Sequence, residues 1–416
     1  MMSKAINKEV FYLYIIQIAN MVIPLLSFSY MANILGLVGF GQVSFYQTVS
    51  FLAAFFIDFG FNMSAAQKMS ISLDDKSKMD ELYSNVQSIK FFIFLVVSVL
   101  GGLSILFLPL SHIDATLLFI GILSAFSTIL LSGWVFQGLG RNSVLAFFSV
   151  VGRVVSVGLI FLLIHQKSDV LLAVIIQVAI SFSIGLAAII YFYRKNVVTF
   201  RIKTISIFKM RQLSEDSYHN FTASLFTLGF TYLNPLVVKF CFGDAFLGLY
   251  ALADKLAVIL KQFFTPVTQA YYSRMCILSH EKKYQELIQN AKKVAIFFAT
   301  ISTLAFFGNL LIGNYIYNFL FGPEYKIVSL LSIMIVTQFI VSMAMVLVNL
   351  IIIPTENSRI LKKYYLIGLI FHFGYFYFFV KYLHIYGVAS AILLTETILT
   401  LSFFMYVRKY FSKVLT

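Results

Sequence analysis

The chain has 416 residues, of which 60% are hydrophobic and only 12% are charged. Because soluble domains usually carry about 25% charged residues, this composition excludes a soluble globular protein and predicts that lipid surrounds much of the surface. The net charge of +14 falls in short loops between apolar segments, beside an anionic membrane surface, which excludes nucleic acid as a partner.

Uncharged stretches long enough to cross a bilayer, about 20 residues each, occur along the whole chain. The first runs from Val10 to Ile57, too long for a signal peptide, and we expect it to divide at the glycines Gly36, Gly39 and Gly41. The pattern predicts an all-α polytopic membrane protein with about twelve transmembrane helices. The predicted spans are 11–35, 41–61, 91–111, 115–137, 143–164, 170–193, 217–242, 246–272, 294–321, 328–353, 364–383 and 387–407.

Positive residues are distributed unevenly among the predicted loops. Most of the 31 lysines and arginines fall on the side that holds both termini, and the opposite loops contain only Lys167, Lys326 and Lys381. The positive-inside rule therefore predicts that both termini are cytoplasmic. The longest inner segments, 62–90 and 194–216, are too short for a soluble domain, and we expect amphipathic connectors or short interfacial helices there.

A weak internal repeat relates the two halves of the chain. Pro24 precedes Gly39-Phe40-Gly41, and Pro235 precedes Leu247-Gly248-Leu249-Tyr250 after a similar interval. An even number of spans separates the copies, so both halves have the same orientation in the membrane. The repeat predicts two six-helix lobes, residues 1–205 and 206–416.

Ionisable residues inside the spans are costly in lipid and indicate a lining role. Arg153 lies near the middle of the fifth span, and Asp254, Lys255 and Lys261 lie in the eighth. Asp254 and Lys261 share a helix face, whereas Lys255 points about 100° away. These cations either pair with carboxylates on neighbouring helices or line a cavity that attracts an anion.

Two further carboxylates and one further lysine belong to the candidate site. Asp58 ends the second span and Glu396 lies within the twelfth; together with Asp254 they are the candidates for carrying a coupling ion. Lys239 lies within one turn of a helix end, where it either binds substrate or extends to the interface.

Uncharged polar residues form stripes along the first, second and seventh spans. Asn20, Gln47 and Asn234 belong to these stripes. Such residues either hydrogen-bond neighbouring helices or line a cavity, and we include them as candidate substrate-binding residues.

Several kinds of chemistry have no motif in the sequence. There is no phosphate-binding G-x-x-x-x-G-K-[ST] loop, and His280-Glu281 lacks the second histidine of a zinc site. The two cysteines, Cys241 and Cys276, are far apart and in or beside apolar runs. We therefore expect no metal site, no cofactor and no disulfide.

Four short motifs resemble the O-antigen flippases (Wzx-type) of the multidrug/oligosaccharidyl-lipid/polysaccharide (MOP) superfamily. The resemblance covers nearly the whole chain. The motifs are Gln17-Ile-Ala-Asn20-Met-Val-Ile-Pro24-Leu25-Leu26 with Leu35-Gly36 and Phe40-Gly41, Trp134-Val-Phe-Gln137-Gly138-Leu-Gly140 before Arg153, Gly248-Leu-Tyr250-Ala-Leu-Ala-Asp254-Lys255-Leu, and Tyr386-Gly387-Val388-Ala389-Ser390-Ala391 before Glu396.

The resemblance implies a MATE-like pair of lobes in a V, alternating access, and export of an undecaprenyl-diphosphate-linked oligosaccharide across the bacterial cytoplasmic membrane. It implies antiport of a proton or sodium ion, and it carries function to Arg153, Asp254, Lys255 and Lys261 by the similar placement of charge in the family's lumen. Of these, Arg153, Lys255 and Lys261 are the expected ligands of the phosphates. Membrane lipids and the polysaccharide polymerase machinery are the other expected partners. The alternatives are a multidrug or organic-ion antiporter of the same superfamily, a polysaccharide polymerase or ligase, against which the short outer loops argue, and a membrane scaffold.

Overall fold

The computed structural model describes residues 2–107, 109–355 and 359–414, with the side chains of 2–22, 219, 223, 227, 230, 231, 359, 413 and 414 left aside. Within these ranges the secondary structure is entirely helical. The helices are α1 (Met2–Asp58), α2 (Phe61–Ile71), α3 (Lys76–Phe107), α4 (His112–Ala125), α5 (Ser127–Leu131), α6 (Gly133–Gly138), α7 (Asn142–Leu163), α8 (Val170–Arg194), α9 (Ile207–Thr231), α10 (Asn234–Phe242), α11 (Asp244–His280), α12 (Tyr284–Phe321), α13 (Val328–Leu347) and α14 (Arg359–Val414), with a 3₁₀ turn at Ile202–Thr204 and a π turn at Val348–Ile352.

The first and last helices are each long enough for two membrane crossings. They contain 57 and 56 residues, or about 85 Å at 1.5 Å per residue, against a hydrocarbon core of about 30 Å. Each is broken near its middle, α1 at Gly36 (φ 69°) and α14 at His384 (φ 51°). Gly36 adopts this conformation because it has no Cβ. The predicted division of the first apolar stretch is therefore confirmed.

Eight segments of the described chain are long and apolar enough to cross a membrane. Counting α1 and α14 twice and adding α11 and the α9–α10 pair gives the predicted twelve within the described residues. Helix α11 falls outside the eight apolar segments, and Asp254, Lys255 and Lys261 lie on it. The chain is thus a multi-pass membrane protein, as its composition predicts.

The inner segment 62–90 is more helical than a connector. It forms α2 and the first four turns of α3, where Asp80 and Lys90 are buried. A hydropathy scale scores each residue by itself. It therefore excludes these charged turns from a span even though their charges are paired in the folded chain.

The chain forms two compact units. The N-terminal unit comprises Ile34–Leu228, and the C-terminal unit comprises Gly229–Thr416 together with Met1–Asn33. The core of the N-terminal unit includes the buried Trp134 and Phe136, and that of the C-terminal unit includes Phe264 stacked on Phe298 at 4.2 Å. These bounds differ from 1–205 and 206–416, and the division into two six-helix lobes stays a prediction.

Candidate functional site

Helix α11 carries three of the predicted intramembrane charges within the C-terminal unit. It packs against α10, α12 and α13, and Leu252 and Ala257 are among its buried apolar residues. Asp254, Lys255 and Lys261 are half-buried. The apolar contacts fix the helix, so the charged side chains keep a defined position within the unit.

Lys261 on α11 interacts with a carboxylate on α14. Its ammonium interacts electrostatically with the carboxylates of Asp254 and Glu396. Among the described residues, none of these three side chains forms a salt bridge within 4.0 Å. We call Asp254, Lys255, Lys261 and Glu396 the charge cluster, because electrostatic interactions link its members.

Lys255 faces a different partner from Lys261. Its ammonium lies 4.5 Å from the ring centroid of Phe28 on α1, a cation–π distance, and it also interacts electrostatically with Asp254. The two lysines of α11 therefore approach two other helices, α14 through Lys261 and α1 through Lys255.

A hydrogen-bonded group lies beside Glu396 on α14. His372 Nδ1 is 2.7 Å and the Tyr375 hydroxyl is 2.5 Å from the hydroxyl of Thr395, which donates to the carbonyl of Ala391 at 2.8 Å. His372 and Thr395 are buried. The sequence reveals only scattered histidines, because the two partners are 23 positions apart and meet only across the α14 kink.

Lys239, near the end of α10, forms an ion pair with the first residue of α11. Its ammonium lies 2.5 Å from Asp244 Oδ1, and its side chain is only 7% exposed. Asn234, at the first position of α10, is also buried. The Lys239–Asp244 pair joins α10 to α11, which neither of the alternatives for Lys239 predicts. The part of both residues in substrate binding stays a prediction.

Asp58 lies in the N-terminal unit, where it pairs with a buried cation. Lys90 Nζ is 2.9 Å from Asp58 Oδ1, and the Lys90 side chain is 3% exposed. The Phe61 ring lies 6.0 Å from the same ammonium. Sequence patterning places Lys90 at the end of a connector, whereas the structure places it four turns into α3.

The remaining candidates are dispersed. Gln47 donates from Nε2 to Gln177 Oε1 at 2.7 Å, joining α1 to α8. Arg153 is exposed on α7, where its exposed neighbours Val154 and Val155 are apolar. The side chain of Asn20 lies outside the described residues. Within the described chain, then, the structure groups the four charges of the cluster and leaves Arg153, Gln47 and Asp58 in the other unit.

Sequence reasoning missed a polar stripe on the first turns of α3. This stripe holds the segment 197–206, which enters α9, by side-chain bonds to its backbone. The bonds run from Thr199 N to Asp80 Oδ1 at 2.8 Å, from Arg201 N to Ser84 Oγ at 2.8 Å, from Ser206 N to Asn85 Oδ1 at 3.0 Å and from Asn85 Nδ2 to Thr204 O at 3.0 Å. The i, i+4, i+5 spacing of Asp80, Ser84 and Asn85 places them on one side of a helix. This spacing is the sequence signal from which the stripe could have been predicted.

The sequence from residue 6 to residue 276 matches the family described as polysaccharide biosynthesis protein. A protein of Shigella dysenteriae, provisionally named an O-antigen transporter, is 25% identical over 404 residues, covering 95% of this chain and 98% of its own. A protein of Escherichia coli strain K12 with the same provisional name is 24% identical over 420 residues, covering 97% of each chain.

Solved transporter structures have the same fold. An inward-facing multidrug resistance transporter of the MATE family, MOP superfamily, has a TM-score of 0.75 at 14% identity and covers 94% of both chains. The lipid II flippase MurJ, in an inward closed conformation, has a TM-score of 0.72 at 16% identity, covering 96% of this chain and 90% of its own. These similarities confirm the predicted twelve-helix MOP fold.

Proposed function

Because the chain belongs to the polysaccharide biosynthesis protein family, we propose that it is a flippase for an undecaprenyl-diphosphate-linked oligosaccharide, such as an O-antigen repeat unit. The substrate moves from the cytoplasmic to the outer leaflet of the bacterial cytoplasmic membrane, with both termini of the protein cytoplasmic. The relatives that match along nearly the full chain are provisionally named O-antigen transporters, which supports this substrate class.

The observation that carries the proposal is the charge cluster on α11 and α14. Two lysines lie half-buried within helices of a membrane protein, at positions that cost free energy unless they bind something. A diphosphate suits them because charge-assisted hydrogen bonds to phosphate oxygens are strong in a medium of low dielectric constant. Lys255 and Lys261 bind the head group, and the prenyl chain stays in lipid.

The carboxylates of the same cluster are the proposed site of ion coupling. Asp254 and Glu396 share Lys261 as a counter-charge. When a phosphate engages Lys261, both carboxylates lose part of that compensation, and a proton or sodium ion is then bound more favourably. Substrate and cation are thus linked through one ammonium group, as reciprocal coupling requires.

The test is deletion of the gene in its host, with complementation by the wild-type chain. Surface polysaccharide and cytoplasmic-face lipid-linked repeat units are both quantified. We expect loss of surface polysaccharide, accumulation of complete repeat units on the cytoplasmic face, and recovery on complementation. Repeat units that reach the outer face but stay unpolymerised would favour the polymerase alternative, and an unchanged glycan profile would exclude the flippase.

A multidrug antiporter of the same superfamily is the second candidate, favoured by the TM-score of 0.75 to a MATE transporter. The two half-buried lysines on α11 argue against it, since an exporter of organic cations would be expected to carry carboxylates in their place. Increased drug susceptibility in the deletion strain, with normal surface polysaccharide, would favour this candidate.

A further inference from the structure

Phe28 on α1 contacts Lys255 of the charge cluster. The ring belongs to the C-terminal unit through the part of α1 that ends at Asn33. An ammonium 4.5 Å from a ring centroid is attracted to the negative face of the ring, most strongly where water is excluded.

Hydrogen bonds hold the residues of α1 that directly follow Phe28. Ser29 Oγ donates to the Leu320 carbonyl at 2.5 Å, and Asn33 donates to the same carbonyl. The Tyr325 hydroxyl donates to the Ala32 carbonyl at 3.0 Å. Three hydrogen bonds within five residues therefore hold the turn of α1 that directly follows Phe28.

An aromatic ring and a carboxylate hold an ammonium with different consequences. A carboxylate neutralises the cation, and in a medium of low dielectric constant a phosphate must then compete with a full negative charge. A ring leaves the net charge of the lysine unchanged and is a weaker partner than a phosphate oxygen. Asp254 is the carboxylate with which the Lys255 ammonium interacts electrostatically, so an ammonium held at the ring interacts less with that carboxylate.

We propose that Phe28 is a positioning residue that keeps the Lys255 ammonium away from Asp254 and ready for the diphosphate of the substrate. This inference rests on the proposed function, since it assigns Lys255 to the substrate's phosphates. It gives α1 a part in substrate recognition through an uncharged residue.

The experiment measures binding of undecaprenyl diphosphate to the full chain in lipid nanodiscs, with three single variants and one double variant. Phe28→Leu removes the ring face at similar size, Phe28→Tyr keeps it, and Lys255→Gln removes the cation. We expect Phe28→Leu to weaken binding by about 2- to 30-fold, the range that a cation–π contact provides, and Phe28→Tyr to bind like the wild type. In the Lys255→Gln background, Phe28→Leu should have no further effect.

The coupling between the two substitutions separates positioning from a structural role. A Phe28→Leu effect of equal size with and without Lys255, or no effect while Lys255→Gln weakens binding, would overturn the inference and leave the proposed function intact. If the wild-type chain does not bind undecaprenyl diphosphate, both are overturned. Thermal unfolding of each variant shows whether that variant is folded under the conditions of the binding measurement.

Discussion

Among the described residues, the buried lysines of two ion pairs differ from Lys261 in their contacts. Lys90 with Asp58 and Lys239 with Asp244 are in direct contact and largely buried. Lys261 instead lies near two carboxylates without a salt bridge to either among the described residues. Such pairs stabilise the fold only when both members are present, whereas the charge cluster can exchange internal interactions for a ligand.

Replacing Lys261 by alanine should lower the rate of substrate export by about 10- to 100-fold, because one charge-assisted hydrogen bond contributes about 1.5–3 kcal/mol. Complementation of the deletion strain measures export, and the amount of protein in the membrane measures insertion. Lys381→Ala is the matched control, since Lys381 is exposed next to Tyr377 and Tyr382. Normal export by a well-inserted Lys261→Ala variant would remove Lys261 from the site.

The Asp58–Lys90 pair predicts a non-additive response. Lys90→Met alone leaves a carboxylate without its partner and should destabilise the protein by about 3–5 kcal/mol. The double variant Asp58→Asn with Lys90→Met should recover most of this loss, because no uncompensated charge remains. Unfolding followed by the fluorescence of Trp134, the only tryptophan, measures both.

Transport by the same double variant decides the role of Asp58. The contact with Lys90 favours a structural role, so we expect the double variant to export substrate. A folded double variant without export would instead support Asp58 as an ion-coupling residue.

At the scale of elements, the sequence predicts where helices lie better than it predicts which residues of different helices contact each other. The division at Gly36 is readable from composition because glycine tolerates a positive φ. The contacts of Lys90, Lys255 and His372 are not readable, because each partner lies on another segment whose distance in the sequence carries no information. Charge and apolar periodicity are local properties, and pairing is a property of the folded chain.

The polar stripe of α3 should stabilise the segment that enters α9. Asp80 is fully buried and binds the backbone of Thr199 and, at 2.8 Å, the guanidinium of Arg201. Asp80→Ala should therefore lower the free energy of unfolding by about 1.5–3 kcal/mol. Lys78→Ala is the control, since Lys78 is 71% exposed in a surface pair with Asp75 and should change little.

Amide hydrogen exchange locates the effect of this substitution. Asp80→Ala should increase exchange in residues 197–206, while the Lys78→Ala variant keeps the protection of the wild type. Equal protection in both variants would show that the stripe does not hold this segment.

At the scale of the whole molecule, the chain passes between its two compact units twice, at residues 33–34 and 228–229. Hydropathy and the positive-inside rule predict twelve spans, and short motifs predict the superfamily, because both depend on residues near one another in sequence. The allocation of the start of α1 to the C-terminal unit depends on hydrogen bonds such as that between Ser29 and Leu320, 291 residues apart. No local pattern could predict it.

The first of these passages is followed directly by the α1 kink, where Gly36 has φ 69° and ψ −178°. This region is open almost only to glycine, and a side chain there costs about 1–3 kcal/mol. A Cβ on Gly36 would meet only the Lys167 side chain at 3.8 Å, so the cost is one of backbone strain. We therefore expect Gly36→Ala to lower the free energy of unfolding by that amount.

Gly102→Ala is the matched control, for which we expect the free energy of unfolding to rise instead of fall. Gly102 lies within α3 and a Cβ there meets nothing within 4 Å, so alanine should stabilise the helix by up to about 1 kcal/mol. Both variants are compared by Trp134 fluorescence during unfolding and by export in the deletion strain. If Gly36→Ala is as stable as Gly102→Ala, the chain accommodates a side chain at the kink, and a strained backbone is not what divides α1. If it is destabilised and also exports more slowly than Gly102→Ala, the glycine serves the transport cycle as well as the fold.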